Sequence, residues 1–323
     1  MREKYSVTNK KLYVICICLI QFIIFSVVTV HASNNSYYIY SHNINLASGN
    51  KQVIENDIFV DKPMSLSRFT RHYNSQYADD IGLGRGWTFT HGDYLEILDP
   101  KTIHYVRYDS AGELFHRSSK QQGVWVNMKH SRKIIKDQTG GYKLKNKFSD
   151  NILFFNKNGR LTSVEHDNYK IEYDYSKYNE TKVRDSLGSE LILKFHKERL
   201  RRVISKSGII QYKYDENKNL VSVINSDNTS RQYLYEYQNT QYFLTGIIDE
   251  NANRVLHVTY NDYNSVASCA FADNLDRIEI KYLGGFKRSI TDSNGKVCTY
   301  KVITEIGKGT EVKVLSGSGC KYW

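Results

Sequence analysis

Residues 211–237 read QYKYDENKNLVSVINSDNTSRQYLYEY. Tyr212 and Tyr214 stand two apart, as do Tyr233, Tyr235 and Tyr237, so each set lies on one face of an extended strand. Between them, Asp215-Glu216-Asn217-Lys218-Asn219 has the short polar side chains of a hairpin turn. Leu220, Val221 and Val223 supply the return strand, and Asn225-Ser226-Asp227-Asn228 turns the chain again. The unit is a β-hairpin.

The same phrase recurs. An aromatic residue, a polar turn and then Leu or Val are found at Phe155 to Leu161, Phe195 to Leu200, Tyr214 to Leu220, Tyr237 to Leu244 and Tyr260 to Val266. Tyr173-Asp174-Tyr175 and Tyr282-Leu283-Gly284-Gly285-Phe286 are weaker copies. From aromatic to aromatic the period is about 19 to 23 residues, the range of stacked supersecondary units. One hairpin cannot bury its aromatic face alone, so neighbours must stack. The expected fold is all-β, a continuous antiparallel sheet of stacked β-hairpins.

Upstream, Val53 to Val60 and Met64 to Phe69 alternate apolar with polar residues and read as half-buried strands. Gly82-Leu83-Gly84-Arg85-Gly86 lacks the buried strand and following helix of a phosphate-binding loop, so its glycines are read as a tight turn that lets Trp87 plug the end of a sheet. Tyr108-Asp109-Ser110-Ala111-Gly112-Glu113-Leu114 has the spacing of a repeat as well. With only Pro63 and Pro100 in the chain, no linker composition separates the two parts.

Tyr214-Asp215 with Asn219-Leu220-Val221-Ser222-Val223, and Gly159-Arg160-Leu161-Thr162-Ser163-Val164, resemble the YD repeats of the RHS family. Arg71-His72-Tyr73-Asn74-Ser75-Gln76 followed by Gly82-Leu83-Gly84-Arg85-Gly86-Trp87-Thr88 is similar to the signature of the domain that opens many bacterial RHS proteins. The resemblance spans roughly Asn45 to Tyr300 and implies a partial β-shell, with residues 33–150 as front domain and 151–323 as YD repeats. In the family such shells enclose a toxin and close with a Pro-containing self-cleaving segment. The sequence has no proline after Pro100, so the expectation is a chain related to those shells but truncated before that segment, with no protease or toxin activity.

Arg2, Lys4, Lys10 and Lys11, an apolar run from Leu12 to Val30, and Val30-His31-Ala32 form a secretory signal peptide, residues 1–32, with cleavage after Ala32. The alternative is an anchor retained at residues 12–30. Either way the product is expected outside the cytoplasm, secreted, periplasmic or on the cell surface. The full chain carries a net charge of +11. The excess is scattered and reads as a solvated surface rather than a nucleic-acid groove, although Lys197, Arg199, Arg201, Arg202 and Lys206 crowd one hairpin and could meet an anionic glycan or cell surface. Cys269, Cys298 and Cys320 allow one disulfide and leave one thiol.

The residues offer no catalytic, cofactor or metal site. The Asp215 and Asp249 turns begin like calcium loops but lack the required Gly and Glu. No H-E-x-x-H, G-x-S-x-G or Cys/His pair is present, and His166-Asp167 and Asp79-Asp80 are the nearest clusters. The leading expectation is therefore a non-enzymatic structural or interaction module, with another RHS-type protein or a cell-surface glycan as partner, no nucleic acid, and no stable membrane insertion after cleavage. The second reading is a glycan-binding surface built on Tyr233, Tyr235 and Arg231. The third, a glycoside hydrolase-like enzyme, needs two carboxylates converging in a cleft.

Overall fold

The computed structural model describes residues 38–39, 42–58, 68–128, 131–237, 241–272, 275–305, 309–317 and 319–320. The leader lies outside them. They fall within one compact unit, Tyr37–Trp323, which holds every strand and core residue discussed below. Among these described residues there is no α-helix, and so none long and apolar enough to cross a membrane. The fold is all-β.

The first five strands form a sheet in chain order: β1 (Tyr38–Ile39), β2 (Ile44–Asn45), β3 (Asn50–Ile58), β4 (Phe69–Asn74) and β5 (Trp87–Phe89). In β3 Val53 is buried and Ile54 exposed, and a register shift between Asn56 and Ile58 breaks the alternation and lets Ile58 be buried as well; Phe59 and Val60, the end of the stretch read as a strand, lie outside the described residues. The segment read as a strand from Met64 enters the described residues only at its end, where Phe69 opens β4. The change of sheet falls between Phe89 and Tyr94.

From there a second antiparallel sheet runs on in chain order. It begins with β6 (Tyr94–Asp99), β7 (Thr102–Val106), β8 (Gly112–Arg117), β9 (Val124–Asn127), β10 (Arg132–Lys136), β11 (Tyr142–Asn146), β12 (Ser149–Phe155) and β13 (Leu161–His166). It continues from β14 (Tyr169–Asp174) to β27 (Gly309–Ser316). This sheet closes on itself. The closing contact is the bridge between Tyr94 and Arg160, beside which the Leu95 N–H donates to the Gly159 carbonyl at 2.8 Å. Gly159 has a φ of +79°, and a Cβ there would clash with the Leu95 carbonyl oxygen, so a side chain at this turn would strain the closing contact. Each of β6 to β13 sends a side chain into one core: Leu95, Ile103, Tyr105, Phe115, Trp125, Ile134, Leu144, Phe155 and Leu161 are among them. The resemblance implied a partial shell. Closure arises ahead of most of the repeats, in strands whose inward residues are large enough to fill a small ring.

The repeat phrase has a structural meaning. Phe155 pairs with Leu161, Phe195 with Leu200, Tyr214 with Leu220 and Tyr260 with Val266, each at a register shift next to the aromatic residue. The bulge lets the strand turn while its ring stays on the inner face. A ladder of tyrosine hydroxyls links successive units: Tyr175 donates to the Leu161 carbonyl (2.7 Å), Tyr214 to Leu200 (2.6 Å), Tyr235 to Leu220 (3.0 Å), Tyr260 to Leu244 (2.9 Å) and Tyr282 to Val266 (2.8 Å). The weaker copies thus take part in the ladder. Tyr237 departs from the pattern, since its hydroxyl donates to the Asn261 carbonyl at 2.8 Å and no strand pairs it with Leu244.

The turn carboxylates and amides are used locally. Asp137, Asn156, Asp185, Asp249, Asn261 and Asp292 each accept the backbone N–H groups two and four residues on, and Asp215 accepts that of Asn219. These are Asx-type turns. Near the C-terminus Cys298 and Cys320 form a disulfide, while burial pushes the Cys269 thiol pKa up.

Candidate functional site

The two sheets meet at a charge buried among aromatic rings. Arg71, in β4, is 1% exposed. Its Nε and Nη2 donate to the two oxygens of Asp57 in β3 at 2.7 and 2.8 Å, and Nη2 also donates to the Tyr233 hydroxyl at 2.7 Å. The Tyr212 hydroxyl donates to Asp57 at 2.7 Å. The guanidinium carbon lies 4.9 Å from the Trp87 ring centre, 5.1 Å from that of Tyr233 and 5.9 Å from that of Tyr212. Burial alone would lower the Arg71 pKa, but the Asp57 carboxylate and its hydrogen bonds carry it well above the usual value. Burial, with Asp57 adding to it, raises the Tyr212 phenol in turn.

The rest of the signature completes the junction. Trp87 is fully buried, packs against Tyr73 and Tyr233, and donates from Nε1 to the Tyr235 hydroxyl at 2.9 Å. The Tyr73 hydroxyl accepts the Leu244 N–H at 2.9 Å, and Ser75 Oγ donates to Asn50 at 2.9 Å. The glycine loop rests on repeat turns: the Gly82 carbonyl accepts the Leu200 N–H at 2.8 Å, and a Cβ on Gly84 would lie 2.8 Å from the Lys218 oxygen. Asp80 holds this loop from inside, accepting the N–H groups of Gly82 and Gly84 and pairing with Arg199 at 2.5 Å. The glycines are there for close backbone approach, and Trp87 plugs the seam between the sheets.

Two expectations are corrected here. Tyr233 is 1% exposed, Tyr235 is held by Trp87, and Arg231 pairs with Glu55 and Glu250 at 2.8 and 3.4 Å, so these three do not form a free glycan surface. The front sheet covers the face that the repeats alone would expose. In the basic hairpin, Arg199 is consumed by Asp80, and Arg201 lies 5.0 Å from the Tyr214 ring centre. Asp79 and Asp80, one of the nearest clusters in the sequence, lie in a loop outside the strands.

A cavity of about 350 Å³ borders the ring core, lined by His91, Asp93, Tyr105, Arg107, Arg132 and Tyr173 among others. Burial raises the Asp93 carboxyl to about 6, against the opposing hydrogen bond from the Tyr105 hydroxyl at 2.5 Å. Burial lowers His91 to about 4, with its Nδ1 2.9 Å from the Tyr173 hydroxyl. Near neutral pH the cavity therefore holds an uncharged imidazole and a carboxyl that can take up a proton. The neighbouring acids are committed elsewhere, Asp109 to Arg107 and Glu113 to Arg132. No second free carboxylate faces Asp93 among these groups, so the arrangement does not supply the acid and nucleophile of glycoside hydrolysis. Sequence reasoning missed these residues because they are dispersed through strands and turns. The one local signal was the polar break Thr90-His91-Gly92-Asp93 between two strands, where His91 adopts a φ of +76°. Among the described residues no group of three or more His, Cys, Asp and Glu could hold a metal.

No curated protein matches the chain. Residues 41–115 match the model of a domain of unknown function (DUF6531), a segment that takes in Asp57, Arg71 and Trp87 at the junction and His91, Asp93, Tyr105 and Arg107 at the cavity.

Proposed function

We propose that this chain is an exported, non-catalytic interaction scaffold of the RHS/YD-repeat kind, in which a front sheet fixes an array of hairpins into one rigid surface. The observation that carries the reading is the junction around Arg71. Of the residues of the most specific motif, Arg71 is bonded to Asp57 and Tyr233, Tyr73 to Leu244 and Trp87 to Tyr235, and all three are buried, so these side chains are spent on joining two sheets. The tyrosine and Asx ladders support the YD-repeat assignment, because they give the Tyr and the Asp of each unit a structural task.

The test is expression of the full chain in a bacterial host, with and without residues 1–32. Fractionation is expected to place the complete form outside the cytoplasmic membrane, with growth unchanged by either form. The purified protein is expected to release no reducing sugar from polysaccharides. Growth arrest, or a hydrolysis that disappears in Asp93→Asn, would overturn the reading.

A further inference from the structure

We propose that one end of the β6–β13 ring is a docking surface for an anionic lipid bilayer. On β9 to β12 the side chains of Trp125, Ile134, Leu144 and Leu153 enter or pack on the ring core. Their neighbours therefore face out. Across the sheet, Val126 pairs with Lys133, Lys133 with Lys145 and Lys145 with Ile152. A second row pairs Ile135 with Lys143 and Lys143 with Phe154. The outer face is thus a mixture of lysines and apolar side chains.

The rows end at two turns. Met128 follows β9 and Phe148 follows β11, two strands that run in the same direction, so both turns lie at one end. The Lys147 N–H donates to the Ser131 carbonyl at 2.8 Å and ties the turns together. Met128 is 83% exposed and Phe148 79%, and Lys147 stands over the Phe148 ring at 5.8 Å. Among the described residues, Lys133, Lys143, Lys145 and Lys147 have no carboxylate within ion-pair distance. The strands and turns that carry them hold two acids, Asp150 and, in the turn at the opposite end, Asp137, whose carboxylate accepts the Thr139 and Gly141 N–H groups; Glu165, opposite Ile152, is engaged by Lys170 at 3.8 Å.

Lys133 directly opposite Lys145 is a repulsive pair, which an anionic surface would relieve. A soluble polyanion would satisfy the lysines but offer nothing to Met128 and Phe148. A bilayer interface takes both, the rings and thioether at the level of the headgroups and the ammonium groups against acidic phosphates. Contact of this kind is peripheral and needs no spanning segment.

The experiment is flotation of Tyr37–Trp323 with vesicles of phosphatidylcholine, alone or mixed with phosphatidylglycerol. This form omits the apolar leader, which would bind lipid by itself, and retains the whole compact unit. Binding is expected only with phosphatidylglycerol and is expected to fall as salt is raised. Each lysine at an anionic surface is worth about fivefold in partitioning, so Lys133→Gln with Lys145→Gln is expected to weaken binding about 25-fold. Met128→Ser with Phe148→Ser is expected to weaken vesicle binding while leaving any retention by dextran sulfate unchanged. Equal binding to both vesicle types, or none, would overturn the proposal. So would vesicle binding that survives the Met128 and Phe148 changes, which would point to an anionic polymer. Thermal unfolding of each variant at the wild-type temperature shows that the fold is intact.

Discussion

Replacing Arg71 by Ala would leave the Asp57 carboxylate buried, 4% exposed at its side chain, with the Tyr212 hydroxyl as its remaining partner among those described. Removing one member of a buried ion pair costs about 3 to 5 kcal/mol, chiefly from the charge left behind. Arg71→Ala also removes the cation from the rings of Trp87, Tyr212 and Tyr233. Asp57→Ala should cost a similar amount, because it strands the guanidinium. The pair Arg71→Met with Asp57→Leu exchanges both charges for apolar groups of comparable bulk and should recover most of the loss, since such replacements are often neutral. Urea unfolding of Tyr37–Trp323, followed by tryptophan fluorescence, measures all three. The single variants are expected to lower the midpoint strongly, and the double variant to lie near wild type. If the double variant costs as much as the two single changes together, the junction is held by packing alone and the account of Arg71 as a paired buried charge is wrong.

Other consequences follow from single contacts. Gly159→Ala places a Cβ against the Leu95 carbonyl and should cost about 2 kcal/mol or more in thermal unfolding, whereas Gly188→Ala, which meets nothing within 4 Å, should cost only the strain of its positive φ. Tyr214→Phe removes the hydroxyl bonded to Leu200 and should cost about 1 kcal/mol, while Tyr263→Phe, at an 87% exposed position, should cost nothing measurable. Reduction of Cys298–Cys320, 22 residues apart, should lower stability by about 3 kcal/mol through the entropy of the opened loop, read as a shift in urea midpoint.

Protonation gives a pH test with opposing signs. His72 and His91 are both lowered to about 4 by burial, so their contribution is present above about 6.5 and is lost as pH falls toward 4. Asp93, raised to about 6, acts the other way: its contribution is present at low pH and is lost as pH rises through 6. Between pH 6 and 4.5 the two histidines outweigh the one carboxyl, so stability should fall on acidification by about 1 kcal/mol per pH unit. Asp93→Asn should steepen that fall, and an unchanged slope would show that Asp93 is not raised.

The all-β class and the hairpin unit were legible because they depend on neighbours in the chain. The spacing of Tyr212 and Tyr214, the polar turn at Asp215 and the aliphatic return at Leu220 fix local backbone geometry, and the structure pairs Tyr214 with Leu220 accordingly. The glycine loop was also read correctly as a device for Trp87, since the absence of a following helix is itself a local fact. Which tyrosines are exposed was not legible. Tyr233 and Tyr235 look like any solvent-facing ladder until β4 and β5 are laid over them, and that contact joins residues about 150 positions apart.

The sequence by itself determined the strand period, the turn chemistry and the repeat, because side-chain alternation and Asx turns act over a few residues. Only the tertiary structure decided that Tyr94 meets Arg160 to close a ring, that Asp57 and Arg71 face each other inside an aromatic cage, and that His91 and Asp93 share a cavity. Those contacts depend on burial and on the accumulated twist and bulges of many strands, and no local pattern encodes either quantity.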